Sequence, residues 1–372
     1  MRNHYKQFLI LVAAATLALA GCSDNNKSPA APGVDSPAGI TVAPIDDNNP
    51  ATAPAVFAVP AAINDNNQIV GSAEAVAGGT LQPTFWLVND EGAATVAPTA
   101  MATLFAGGFA AAHDINSAGV IVGMAANTDT SIRAVVWADK DAAPALLQGL
   151  TPGGFAAAYG INDSGRIVGT AENDDGLLQA VRWQRAIDGT LSGPFVLSGV
   201  PAGWEAEVNA VNADNTIAGE LIDTAGISRA VLWQLLGGSY VRLDLAVPAG
   251  FEHAVAVDLS SSAAGAPLIV VGEVADDGLG GLTQAVRWSV EGGTVTVTNL
   301  GSVDRSSGAV AVNNAGRAAG WEKNASVDLA TVWNNSTGKS ALLITDSQAF
   351  DINNNNLIVG RDASQGFVKL AN

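Results

Sequence analysis

One nine-residue block returns through almost the whole chain, and any fold assigned to it has to accommodate that recurrence. The block reads apolar-Asn-x-x-(Gly/Asn)-x-apolar-apolar-Gly. Its copies are Ile63 to Gly71 (INDNNQIVG), Ile115 to Gly123 (INSAGVIVG), Ile161 to Gly169 (INDSGRIVG) and Val211 to Gly219 (VNADNTIAG). A degenerate copy runs from Val257-Asp258 through Gly272, followed by Val312 to Gly320 (VNNAGRAAG) and Ile352 to Gly360 (INNNNLIVG). In the first six copies a tryptophan follows the glycine by 13–16 residues: Trp86, Trp137, Trp183, Trp233, Trp288 and Trp333. In the first five an aromatic stands seven or eight residues before the repeat Asn or Asp: Phe57, Phe109, Phe155, Trp204 and Phe251. The steps between repeat positions are 52, 46, 50, 46, 55 and 40 residues. Self-similarity at such a period signals an array of identical supersecondary units that bury their faces against one another.

The third unit shows what one copy contains. Phe155 to Ile161 is an apolar strand of small residues, and Asn162-Asp163-Ser164-Gly165 is turn chemistry. Arg166 to Ala171 is a second strand and Asn173-Asp174-Asp175-Gly176 a second turn. Leu178 to Gln184 is a third strand, and Asp188-Gly189 leads into a fourth at Pro194 to Ser198. Four strands in 40–50 residues is the arithmetic of a β-propeller blade. The expected fold is therefore all-β, a seven-bladed β-propeller of four-stranded blades; an open β-solenoid is the structural alternative. The seventh copy ends at Asn372 without a fourth strand, whereas Gly39 to Ile45 (GITVAPI) precedes the first unit. That N-terminal strand is expected to complete the last blade and close the ring, removing free sheet edges.

The units resemble the HAF repeat of bacterial extracellular proteins, with its IN-x-x-G-x-IVG core and a His-Ala-Phe-like segment ending in tryptophan. Here that segment reads Arg-Ala-Val or Gln-Ala-Val. The resemblance covers roughly residues 50–370 and implies an exported repeat protein; it brings no catalytic residues.

The N-terminus carries an address. Arg2 and Lys6 precede an apolar run from Phe8 to Ala20, the length of a signal-peptide core and too short for a helical membrane span. It ends in Leu19-Ala20-Gly21-Cys22, which resembles the bacterial lipoprotein signal, and Cys22 is the only cysteine in the chain. Residues 1–21 are thus expected to be removed as a lipoprotein signal peptide, leaving Cys22 as the lipid attachment site. The palmitate-type acyl chains there anchor the protein to a membrane. Ser23 rather than Asp follows the cysteine, which in the Gram-negative sorting rule favours the outer membrane. Residues 22–38, rich in Ser, Asn, Asp, Pro, Ala and Gly, read as a flexible tether, and residues 39–372 as the propeller.

Composition narrows the function classes. The net charge of −18 argues against nucleic-acid binding, and one cysteine excludes a disulfide framework or a multi-cysteine metal site. No catalytic residue and no cofactor is expected. His113 and His253 occupy different repeat positions, so they do not form a shared site. Asp114 and Asp351 hold the same repeat position, two before the Asn. With Glu205, Glu207 and Glu252 they are the candidates for paired carboxylate chemistry at a channel mouth. The loops Asn64-Asp65-Asn66-Asn67 and Asn162-Asp163-Ser164-Gly165 are rich in oxygen, yet each has one carboxylate, and Asx turns account for them without calcium. The six repeat tryptophans read as inter-blade packing, leaving Trp204 and Trp321, with Trp321 the better candidate for an exposed contact. The chain thus reads as an envelope-anchored binding or scaffold module. The loops Asp90–Phe105 and Ser260–Pro267 are its candidate contacts for an envelope protein or an extracellular glycan. A propeller enzyme acting on glycans or peptides, and a purely structural envelope protein, are the alternatives.

Overall fold

The computed structural model describes residues 40–41, 58–74, 81–261, 266–276, 281–334, 338–362 and 366–371. The expected signal peptide, Cys22, the expected tether and Phe57 lie outside the described residues, as do residues 262–265 of the second candidate loop. The described residues form seven four-stranded antiparallel sheets. The protein is a seven-bladed β-propeller. Its innermost strands are Ala58–Ile63, Ala110–Ile115, Ala156–Ile161, Glu205–Val211, His253–Leu259, Ser307–Val312 and Ser347–Ile352. We number blades 1 to 7 in that order.

Ring closure is as expected. Blade 7 takes its outermost strand from the N-terminus: Ile40 pairs with Val368 and Thr41 with Phe367, antiparallel. The third unit matches its sequence reading closely, with strands Ala156–Ile161, Arg166–Glu172, Leu178–Arg185 and Leu191–Val196. Only the fourth begins earlier than Pro194.

The repeat tryptophans are the largest buried side chains: Trp137, Trp183, Trp233 and Trp288 are at most 1% exposed. Each also spends its one donor on the preceding blade. Trp137 Nε1 donates to Ala102 O, Trp183 to Gln148 O, Trp233 to Ser198 O and Trp288 to Ala246 O, at 2.7–3.0 Å. These acceptors lie where the chain leaves the preceding blade's outer strand. One residue thus supplies apolar area and satisfies a carbonyl that the blade junction would otherwise bury unpaired.

The repeat asparagines do more than shape turns. Asn162 Oδ1 accepts from the N–H groups of Ser164 and Arg166, which is the Asx turn. Its Nδ2 donates to Asn212 O in the next blade at 2.8 Å. The same donation runs Asn64 to Asn116, Asn116 to Asn162, Asn212 to Ser260, Asn313 to Asn353 and Asn353 back to Asn64. Six of seven blade junctions carry this amide bond, and all six asparagines are buried. Aspartate could shape the turn but has no donor, so the residue must be Asn.

The fifth copy corrects the sequence alignment. Asp258 is not the repeat Asn equivalent. The residue that receives the Asn212 amide is Ser260, whose Oγ accepts from Ile269 N in place of an Asx turn. Serine has no amide to pass on, so the 5–6 junction lacks that bond and keeps two others of a kind also found at the 2–3 junction: Ser261 N donates to Asn314 Oδ1 and Val312 N to Asp258 Oδ2.

The repeat glycine has an equally local cause. Every inner strand carries a β-bulge beside it, for example between Ala158 and Gly160. A Cβ on Gly169 would lie 2.0 Å from Ala157 O, and one on Gly123 2.0 Å from Ala111 O. Only glycine lets the second strand approach the bulged one.

Two expectations follow. Asn162→Asp keeps the shape but removes the donor and buries a charge; it should lower stability by about 1–3 kcal/mol, whereas Asn89→Asp, at an exposed Asx turn whose Oδ1 accepts from Glu91 N and Ala93 N, should change it by less than about 0.5 kcal/mol. Gly169→Ala should cost about 3 kcal/mol or more. Denaturant melts of the three variants beside the wild type check both.

Candidate functional site

The bulges determine what faces the axis. In each blade the bulged residue, left unpaired in the ladder, stands three positions before the junction residue. These are Ala61, His113, Tyr159, Asn209, Val257, Val310 and Phe350. All seven line one axial cavity of about 240 Å³. A bulge re-aims a side chain out of the pleat, and here seven bulges aim seven side chains at a common centre. Around the same cavity stand Asp114, Asp258 and Asp351, one residue further along their strands.

The aromatic side of the cavity is ordered. His113 stacks on Tyr159 with ring centroids 5.2 Å apart and planes 12° from parallel. His113 Nδ1 lies 2.7 Å from Ala158 O. A carbonyl only accepts, so Nδ1 carries the proton and the ring is fixed against blade 3. Burial and the negative charge of Glu207 push the Tyr159 phenol well up, so it stays a neutral hydroxyl. Asn209 Nδ2 donates to Ala256 O at 2.7 Å.

The three aspartates are inter-blade staples. Asp114 Oδ2 accepts from Ile161 N, Asp258 Oδ2 from Val312 N and Asp351 Oδ2 from Ile63 N, each at 2.7 Å. Asp114 and Asp351 also accept, through Oδ1, from the N–H of the next residue. The sequence paired Asp114 with Asp351; the structure adds Asp258, which the misaligned fifth copy had hidden. Burial pushes Asp114 up to about 6 and Asp258 to about 7, against the lowering effect of their backbone donors. Asp351 is raised well above the carboxylate range by burial and by the negative charges of Asp258 and Asp114.

The remaining candidates fall elsewhere. Glu205 Oε1 accepts from Leu178 N, and neither Glu205 nor Glu252 lines the axial cavity. Glu207 does not line it either. His253 Nδ1 accepts from Ser228 N, between blades 4 and 5, so the two histidines do occupy separate places. Trp321 is 7% exposed, which overturns its reading as a surface contact. It sits in a buried cluster with Val255 and Phe367 and hydrogen-bonds to Glu273, a buried carboxyl raised to about 7 by desolvation. Trp204 is half-buried beneath the Arg229 guanidinium, 5.6 Å away. The oxygen-rich turns spend their side chains on neighbouring blades: Asp163 Oδ1 accepts from Ser117 N and Asp65 Oδ1 from Asn354 N. Among the described residues no three His, Asp or Glu side chains converge as metal ligands.

The bulge position escaped the sequence reading because it does not repeat. Its signal is indirect: a variable residue inside an otherwise constant frame, ten positions before the repeat glycine in every blade but the fifth.

Comparison with known proteins adds the following. A family described as "Protein of unknown function (DUF3466)" matches residues 33–140, less than a third of the chain. No curated relative matches by sequence. Among solved structures the chain is similar to TolB from Acinetobacter baumannii, at 14% identity and TM-score 0.43, over 72% of this chain and 61% of that one. It is also similar to a mutant of AofleA from Arthrobotrys oligospora, at 11% identity and TM-score 0.44, over 77% and 87%. A mutant of the Aleuria aurantia lectin in complex with Fucα1-6GlcNAc matches at 11% identity and TM-score 0.41, over 77% and 93%. These likenesses concern the fold alone.

The aspartates set a pH dependence. A carboxyl whose folded pKa lies near 7 for Asp258, above its ordinary 3.8, holds a proton that the unfolded chain has released. Its contribution is full below about pH 4 and is lost as pH rises through about 7. The wild type should therefore melt at a lower temperature at pH 8 than at pH 5, and Asp258→Asn should flatten that difference. Thermal melts across pH 4–9 check it.

Proposed function

We propose that this protein is a lipid-anchored envelope propeller that binds a small, hydroxyl-rich ligand in its axial cavity, the terminal sugar of an extracellular glycan being the favoured class. Lipidation at Cys22 and an outer-membrane location follow from the sequence reading. The tether of residues 22–38 would hold the ring off the bilayer.

One observation carries the reading. The positions that hold the ring together repeat from blade to blade, whereas the seven positions that face the cavity carry Ala, His, Tyr, Asn, Val, Val and Phe. A constant frame that presents a varied set of side chains to one enclosed space is what a binding site on a repeat protein requires. The chemistry suits a sugar. Tyr159 with His113, and Phe350 in the same lining, offer apolar faces for a pyranose ring, and the carboxyls of Asp114, Asp258 and Asp351 offer acceptors to hydroxyls.

The same geometry favours binding over hydrolysis. Each aspartate is engaged by backbone N–H groups of the next blade, a structural duty that a general acid or nucleophile would have to abandon. The loop Asp90–Phe105 remains a second surface for partner contact, with Phe105 37% exposed.

The test is a glycan array probed with the mature chain and with a His113→Ala/Tyr159→Ala double variant. The expected result is a subset of glycans bound by the wild type and lost, by about tenfold or more in affinity, in the variant. Equal binding by both proteins, or no bound glycan at all, overturns the reading.

A further inference from the structure

A second site lies far from the axis, between the outer parts of blades 3 and 4. Arg166 opens the second strand of blade 3, and Arg182 sits in its third. The register pairs Arg182 with Val168 on one side and with Phe195 on the other. Arg166, Val168, Arg182 and Phe195 therefore share one face of the sheet. That face turns toward blade 4, because Val168 belongs to a buried cluster with Val208, Ile217 and Trp233, against which Tyr240 packs. Tyr240 comes from the outer strand of blade 4, Ser239–Asp244.

The two guanidinium groups converge on that tyrosine. Arg166 Cζ lies 6.0 Å and Arg182 Cζ 5.4 Å from its ring centroid, and Arg182 Cζ stands 4.5 Å from the Phe195 ring. Stacking on aromatic faces leaves the in-plane N–H donors of both groups pointing past the rings. Neither arginine forms an ion pair or a side-chain hydrogen bond among the described residues. This is unusual on a chain with 35 acidic and 17 basic side chains, where carboxylates are plentiful. The neighbouring Arg242, by contrast, pairs with Asp244 at 2.8 Å. Two further donors are stranded in the same niche: Arg166 Nε and Tyr240 Oη are both buried and have no partner among the described residues. Buried donors without acceptors are rare in folded proteins and ask for an explanation. Partial burial, and after it the positive charge of Arg166, lower the Arg182 pKa against the raising effect of Tyr240.

We propose that the Arg166–Arg182–Tyr240 niche binds a phosphate-like oxyanion, either free or carried on an anionic envelope lipid. A tetrahedral oxyanion offers acceptors in several directions at once. It would take the two guanidinium forks and the Tyr240 hydroxyl together, and its charge would relieve the repulsion between the arginines. Phe195, 42% exposed, marks the open side through which the ligand enters. The site is independent of the axial cavity.

The test is isothermal titration of the full mature chain with inorganic phosphate, at ionic strength held constant with chloride. Wild type, Arg166→Gln, Arg182→Gln, Arg182→Lys and Tyr240→Phe are compared, with near-ultraviolet circular dichroism as the check on folding. The expected result is saturable phosphate binding, weakened about tenfold or more in each Gln variant and by less in Arg182→Lys and Tyr240→Phe. Arg182→Lys keeps the charge and guards against reading a folding failure as lost binding. No phosphate heat beyond the chloride control, or equal affinity in all five proteins, overturns the proposal. Co-sedimentation of a Cys22→Ser chain with phosphatidylglycerol vesicles separates the sources. Binding that both Gln variants lose assigns the site to a lipid headgroup; phosphate binding without vesicle binding assigns it to the free anion.

Discussion

The side-chain amide of asparagine at the blade junctions is the constraint on which the rest of this ring depends. Its carbonyl oxygen folds the turn after the inner strand of every blade but the fifth, and its amide nitrogen reaches the main chain of the next blade. One side chain therefore fixes both the shape of a blade and its position against its neighbour. Each such bond is worth only about 1 kcal/mol net, but it is directional and buried. It sets the rotation from blade to blade in a way that apolar contact alone does not. Closure then follows from repetition: the last amide, from Asn353, returns to Asn64 O, and the N-terminal strand seals the same blade at its outer edge.

Around this ladder the other repeated residues have separable duties. Tryptophan fills the space between blades and caps the preceding blade's exit. Glycine makes room for a bulge in the inner strand, and the bulge turns one residue per blade toward the axis. The frame is thus built from positions that recur in nearly every blade, and the cavity is lined by positions that differ from blade to blade. The aspartates of blades 2, 5 and 7 lie between these categories. They border the cavity, yet they serve as acceptors for the inner strands of blades 3, 6 and 1, whose equivalent positions are Gly160, Ala311 and Ala62.

Much of the fold is legible in the sequence because its causes are local. The Asn-containing turns, the apolar strands and the tryptophan spacing give blade count, strand order and the missing fourth strand of the last unit. Inter-blade chemistry is less legible because it joins residues about 50 positions apart. Asn162 reads as a turn former from its neighbours alone, and nothing beside it announces the bond to Asn212 O. The fifth unit shows the cost of aligning by residue type: Asp258 looks like a substituted Asn, whereas its bulge register groups it with Asp114 and Asp351. Trp321 was misplaced for a similar reason. Its position after the repeat glycine carries Ser72, Met124, Thr170 and Glu220 in other blades, and no pattern in that series reveals that it is buried beside Glu273. The arginine niche joins two strands of one blade to the outer strand of the next, so no single repeat contains it.

Hydrogen exchange of the side-chain amide protons of Asn64, Asn116, Asn162, Asn212, Asn313 and Asn353, followed by NMR, tests the central claim most directly. If these amides bridge the blades, they exchange only when the ring opens, and their protection approaches that of the core strand amides. Exchange at the rate of exposed side chains such as Asn89, with the core strands still protected, would show that the ladder does not hold the ring and would contradict the account.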